Sequence, residues 1–455
     1  MSCTINNVNI FSSLKPEHKE AIGLLSIGTF LEYFDLMLYV HMAVLLNELF
    51  FPKTDPYMAG FISAIAFCST YVFRPFGALL FGYIGDNMGR KATVVITTFI
   101  MAICCLIMAN LPTYAQVGIY ASWGITACRI LQGISSMGEI IGAQIYLSEL
   151  IKRPASYPAV CLILCASNLG AFVALAIATI VLNFNMGWRI VFWIGAGIAA
   201  IGFVARTALR ETPEFVDAKR RIKTKYEKAN FSPEKLKQTI KQDPIVNQKV
   251  NRKTSLAYFF IKCARPLCFY FTYIYCSNIL KNSFHYTSEQ VIQHNLVVAI
   301  IDFLITIGLT YLSCKIYPLI IVKTKAAIFS IGVLFGPYIL SQISTPLHMF
   351  FIQMFVCLFY IGAAPADAIL FGYFPIFKRF TYSSFIHALS RTLTYIVTSF
   401  GLVYLTNQFN YWGLLIIFIP VTIGFIFGII HFEKLEKEAG NYPQKLPNAL
   451  VASGH

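Results

Sequence analysis

Apolar runs of bilayer length follow one another along this chain, and no other feature restricts its fold as strongly. They lie at about 21–46, 57–84, 92–110, 117–146, 157–183, 189–208, 255–280, 290–313, 326–343, 347–372, 383–406 and 411–431. A run of about 20 apolar residues spans the hydrocarbon core as a helix, which satisfies its own backbone polar groups. The reading is therefore an all-α membrane protein of twelve transmembrane helices. Composition agrees: 57% of the residues are hydrophobic and 13% charged, against roughly 25% charged in soluble domains.

The polar interval 209–253, rich in Lys and carrying Pro213, Pro233 and Pro244, separates six runs from six. The expected layout is an N-terminal segment 1–20, a six-helix half 21–208, a linker 209–253, a second six-helix half 254–432 and a tail 433–455. The net charge of +15 would point to nucleic acid in a soluble protein, but here its placement matters more. Lys15, Lys19, Arg90, Lys91, Lys152, Arg153, fourteen cations between Arg206 and Lys253, Lys315, Lys323, Lys325, Lys378, Arg379, Lys434, Lys437 and Lys445 fall in segments of one side. Only Lys53 and Lys281 fall opposite. By the positive-inside rule both termini, the linker and the tail are cytoplasmic. The first twenty residues lack the layout of a cleaved signal peptide, so the first span is expected to be retained. The tail contains Gly440, Pro443 and Pro447 and sustains no heptads.

Charges inside the spans mark function, because a carboxylate there costs about 2.5 kcal/mol or more. Glu32 and Asp35, three residues apart, share one face of the first span. On the fourth span Arg129, Gln132, Ser136 and Glu139 fall within roughly an 80° arc at 100° per residue. In the second half Asp302, Asp367 and Arg391 stand as isolated charges, while Lys262 and Arg265 snorkel from the start of the seventh span. Tyr258, Tyr270, Tyr273 and Tyr275 on that span could pack, or cage a quaternary ammonium. The twelve cysteines form no CxxC pair, and His41, His294, His348 and His387 are solitary, so neither a disulfide framework nor a metal site is expected. No phosphate-cradling GxxxxGK[ST] loop and no nucleophile–base set is readable, which disfavours a pump driven by ATP and an enzyme.

The loop after the second span reads Gly82-x-x-x-Asp86-x-x-Gly89-Arg90-Lys91, and it resembles the signature loop of the major facilitator superfamily. Arg74-Pro75-x-Gly77-Ala78 and Glu32-Tyr33-Phe34-Asp35 resemble its metabolite:proton symporter branch, which includes proline/betaine carriers. So do Arg129-Ile130-Leu131-Gln132-Gly133, Tyr146-Leu147-Ser148-Glu149, Gly187-Trp188-Arg189 and Leu209-Arg210-Glu211-Thr212-Pro213-Glu214-Phe215. Phe374-Pro375-x-x-x-Arg379-x-Thr381 resembles a second-half element. Asn87 and Met137 depart from the pattern, and the second copy of the loop, near Ser313–Lys325, has lost its skeleton.

This resemblance implies the major facilitator fold and a secondary active transporter. It would import a small polar metabolite, a zwitterion or organic acid of the proline/betaine kind, with protons by alternating access. Alternatives are an uncoupled facilitator or exchanger of the same fold and a transport-dead receptor. Asp35 and Arg129 are implied as the pair lining the cavity and coupling the proton, with Glu32 a candidate relay beside the alternative of a structural, hydrogen-bonded carboxylate. Arg129, Gln132, Ser136, Glu139 and Tyr39 are implied for the solute cavity. The resemblance gives Asp86, Gly89, Arg90, Lys91 and Glu149 to a cytoplasmic gate, with Arg74 structural near the same end. The proton is the coupling ion and no other cofactor is expected. The partners are a small solute and the lipid bilayer, not nucleic acid, and the protein is a monomer of the plasma (bacterial inner) membrane.

Overall fold

The computed structural model describes residues 14–52, 71–184, 187–207, 209–212, 215–217, 219–221 and 248–443. At Asp35, Tyr39 and Glu139 the description covers the backbone only. Most of the 209–253 linker and the 444–455 end of the tail thus lie outside the described residues.

The first half contributes α1 (Pro16–Phe50), α2 (Arg74–Asn87), α3 (Arg90–Asn110), α4 (Ile119–Leu150), α5 (Ser156–Asn183) and α6 (Arg189–Thr207). The second half opens with α7, which runs Arg252–Tyr270, passes through a π-helical turn at Phe271–Tyr275 and resumes as Cys276–Phe284. Then come α8 (Ser288–Lys315), α9 (Pro318–Ser341), α10 (Pro346–Phe359), α11 (Arg379–Phe409) and α12 (Gly413–Glu438). The family fold places these as twelve transmembrane helices in two six-helix halves. By length and hydropathy, Arg90–Asn110, Ser156–Val181, Gln290–Lys315, Pro318–Ser341 and the Arg379–Glu438 stretch can each cross a membrane.

Local chemistry sets several boundaries. Thr287 and Gln290 close a capping box ahead of α8, and Thr345 accepts from His348 N–H at the start of α10, each meeting donors a helix cannot satisfy itself. Within a half, α1 packs along α5, α3 along α6 and α7 along α12. Between halves, α2 packs against α11 and α5 against α8.

The tenth span differs from the single run expected at 347–372. It stops at Phe359, and a short helix resumes at Asp367–Phe371. Pro365 has no N–H to donate and biases Ala364 away from helical geometry, so the chain opens around Gly362. Irregular backbone at this depth is tolerated where protein or a cavity surrounds it. The ninth helix begins at Pro318, well before the expected 326, with proline at its first position, and Lys325 lies buried on it with Nζ 4.2 Å from the Tyr360 ring centroid. Lys325, counted in the sequence among the cations of segments on one side, is thus a buried residue of a helix. The last helix likewise runs past 432 to Glu438, and Glu433 and Glu436 are both buried.

Gly82 allows the two halves to meet. A Cβ at this position would sit 2.6 Å from Thr381 Cα on α11, backbone that cannot swing aside. Gly82→Ala is expected to separate α2 from α11 at this end and cost about 1–3 kcal/mol, the usual penalty for overpacking. Thermal unfolding of the purified protein checks it, and an unchanged midpoint would contradict the close approach.

Candidate functional site

Polar side chains gather in three places, and two of them tie the halves together at one end. The first centres on Glu149, in the last turn of α4, whose carboxylate side chain is fully buried. It accepts Arg90 Nε and Nη2 at 3.0 Å each, Arg379 Nη1 at 3.1 Å and Thr212 Oγ1 at 2.9 Å. Arg90 also donates to the Gly85 carbonyl at 2.6 Å and to the Ile376 carbonyl at 2.8 Å. Asp86 accepts Phe380 N–H (3.2 Å), Thr381 N–H (2.9 Å) and Thr381 Oγ1 (2.7 Å), so its charge faces the N-terminus of α11, where a helix dipole favours it. Gly89 holds a φ of 126°, a region L side chains rarely enter. That leaves the Arg90 and Lys91 N–H groups facing Glu211 at 3.0 and 3.3 Å.

The second cluster centres on Glu436 near the end of α12. Its carboxylate accepts Arg153 Nη1 at 2.9 and 3.1 Å, Tyr373 OH at 2.6 Å and Tyr317 OH. Arg153 belongs to the connection between α4 and α5, so this contact also crosses from one half to the other.

The third place is a cavity of about 60 Å³ between the halves, roomy enough for water. Tyr33 and Met37 of α1, Asn168 of α5, Arg265 and Tyr273 of α7, Asp302 of α8 and Tyr360 border it. Arg265 Nη2 donates to Asn168 Oδ1 (3.1 Å), and Asn168 Nδ2 donates to Asp302 Oδ2 (3.2 Å) and Thr306 Oγ1 (2.8 Å). One amide thus links a cation on α7 to a carboxylate on α8. Beside it Arg391 Nη2 donates to Tyr33 OH at 2.7 Å.

Of the residues singled out in the sequence, Asp86, Gly89, Arg90, Lys91 and Glu149 come together in the first cluster. Arg129, Gln132 and Ser136 lie buried along α4, with Arg129 Nη1 donating to Gln132 Oε1 at 3.0 Å. They are not among the residues bordering the central cavity. Glu32 is buried on α1. The side chains of Asp35, Tyr39 and Glu139 lie outside the described residues. Arg74 does not sit near the Asp86 end: it begins α2 and stacks on Tyr71 at 4.5 Å. Lys262 and Arg265 do not snorkel and Asp367 is not isolated. Lys262 Nζ meets Asp367 Oδ1 at 2.5 Å with both side chains buried, because a buried charge is far cheaper when paired. Asp302 and Arg391 also have partners, Asn168 and Tyr33. Sequence reasoning missed Asn168, Glu211, Tyr317 and Glu436 as site residues. For Asn168 the signal was a carboxamide in the middle of an apolar run.

The family model described as Major Facilitator Superfamily matches residues 25–390. The Proline/betaine transporter of Salmonella typhimurium is 35% identical over 219 residues, 47% of this chain and 43% of that protein. The Glycine betaine/proline/ectoine/pipecolic acid transporter OusA of Dickeya dadantii is 31% identical over 204 residues, 43% of this chain and 41% of that protein. The match thus spans less than half the length of these relatives. Among solved structures, the proton:xylose symporter XylE bound to 6-bromo-6-deoxy-D-glucose superposes with a TM-score of 0.74 at 14% identity, covering 92% of this chain and 95% of XylE. FucP in the outward conformation gives 0.65 at 14% identity, covering 92% and 99%. At such identity the likeness concerns the fold alone. With the family model extending from α1 into α11, across both halves and the whole Glu149 cluster, this integral membrane protein belongs to the Major Facilitator Superfamily.

Proposed function

We propose that the chain is a secondary active transporter that imports a small zwitterion or organic acid, of the proline/betaine kind, together with protons. The observation that carries this reading is the cavity between the halves, where Arg265 and Asp302 are linked through Asn168. A zwitterion brings a carboxylate for the guanidinium and a cationic group for the acid. The rings of Tyr33, Tyr273 and Tyr360 around the same space suit an ammonium that cannot donate a hydrogen bond. The relatives named as proline/betaine transporters support the same solute class.

Alternating access follows from the two ties. In the proposed orientation both termini, the 209–253 linker and the 433–455 tail are cytoplasmic, and the protein sits in a bacterial inner membrane as a monomer. The Glu149 and Glu436 clusters then close the cytoplasmic end, and their rupture admits the cavity to that side. Proton coupling is assigned to Asp35, together with Glu32 of α1 and Arg129 of α4. Burial raises a carboxyl's proton affinity and a guanidinium lowers it, so a change of exposure or partner loads or releases the proton.

The test is uptake of radiolabelled glycine betaine and proline into proteoliposomes under an imposed pH gradient. Wild type is expected to accumulate solute when the outside is acidic, and Asp35→Asn to fall to the level of empty vesicles. Uptake indifferent to both the gradient and the substitution sinks proton coupling. Counterflow without proton movement would then identify a facilitator or exchanger.

A further inference from the structure

One polar cluster of the second half has no part in the scheme above. A cavity of about 30 Å³ lies where α7, α11 and the opened tenth span meet α4 and α5, enough for a water molecule. Lys262, Asp367 and His387 all border it. Lys262 and Asp367 form the buried pair at 2.5 Å. His387 is only 7% exposed, and neither of its ring nitrogens has a hydrogen-bond partner among the described residues. A neutral imidazole carries one donor and one acceptor, and leaving both unmet in a buried site is costly. A water in the adjoining void would satisfy one of them and join the ring to the ion pair.

The charged and titratable groups facing His387 narrow its role. They are Lys262 and Arg265 on α7, Arg74 on α2, Asp367 and Tyr360 on the tenth span, and Arg391 on its own helix. Gln144 on α4 borders the cavity but carries no charge. Four cations disfavour a lasting fifth on the imidazole. Among the described residues one carboxylate, Asp367, borders the cavity, and it can hold an added proton by becoming neutral.

We propose that Lys262, Asp367 and His387 form a second proton-binding site, in which His387 passes a proton through one water to Asp367 and so releases Lys262. The free ring nitrogen takes the incoming proton, the opposite nitrogen gives its own to the water, and the water gives one to the Asp367 carboxylate. The imidazole ends neutral as its other tautomer, Asp367 ends neutral, and Lys262 keeps its charge. The released ammonium is then available to a solute carboxylate, so proton and solute each favour binding of the other. This inference rests on the proton-coupled reading and deepens it.

Infrared difference spectroscopy of the reconstituted full chain tests the site without needing a solute. On acidification, wild type is expected to gain the carbonyl stretch of a protonated buried carboxyl, and Asp367→Asn to lose that component. Because Asp367→Asn leaves Lys262 unpaired and could fail to fold, the neutral pair Lys262→Gln with Asp367→Asn is measured as well and should lack the same component. A component unchanged in either folded variant overturns the proposal. After an acid jump, His387→Leu should slow proton uptake, followed with a pH dye, and leave the final band intact; an unchanged rate removes His387 from the path. Wild type showing the band without gradient-driven uptake would retain the site and reject symport. Gradient-driven uptake with the band intact in Asp367→Asn would do the reverse.

Discussion

Glu149→Gln is expected to lower stability by about 3–5 kcal/mol, the cost of removing one partner from a buried ion pair, and to loosen the end of the bundle where the halves meet. Two guanidiniums converge on this carboxylate, and the Arg90 side chain is fully buried. A neutral amide keeps the shape and withdraws the charge on which both guanidiniums converge. Asp86 lies 3.4 Å from Arg90 but is held by the α11 backbone. Hydrogen exchange at 85–91 and 376–381 should accelerate, and the thermal midpoint should fall. The double variant Glu149→Gln with Arg379→Gln should recover part of the loss, because one stranded cation is gone. Equal midpoints for wild type and Glu149→Gln would refute the assignment of this carboxylate as the centre of the tie.

The second large effect is expected at Glu436, though it should be smaller. Glu436→Ala strands Arg153 and the hydroxyls of Tyr317 and Tyr373. Each abandoned buried partner costs about 1–3 kcal/mol, but the Arg153 side chain is 32% exposed and water compensates it. A net loss of about 2–3 kcal/mol follows. Glu438→Ala nearby serves as the comparison: its pair with Lys434 is exposed and 3.7 Å apart, and such pairs contribute little. The order Glu149, Glu436, Glu438 in thermal midpoint loss is the result to check. A Glu436→Ala loss no larger than that of Glu438→Ala would dissolve the second tie.

The helices and the turn after α2 were legible in the sequence for physical reasons, while the grouping of that turn with Glu149 came from the family resemblance. Apolar runs declare their length directly, and Asp86, Gly89 and Arg90 sit within a few residues of one another, so their spacing carries the turn. Contacts between distant segments were not legible. Nothing local connects Lys262 with Asp367, or Arg153 with Glu436, and a basic residue near a helix end looks the same whether it reaches water or a buried acid. The gap in the tenth span was hidden as well: Gly362 and Pro365 interrupt a run whose hydropathy continues unbroken. The Arg265–Asn168–Asp302 chain draws on three helices of both halves, and only packing brings them together.

The bond from Arg153 to Glu436 has a practical consequence for anyone handling the protein. Although the sequence reads 433–455 as a tail, its opening residues are fastened to the other half of the molecule. A purification tag or fluorescent fusion therefore belongs after Pro443. Joined any earlier, it would unfasten the closing helix, and the altered behaviour would be mistaken for a property of the fusion partner.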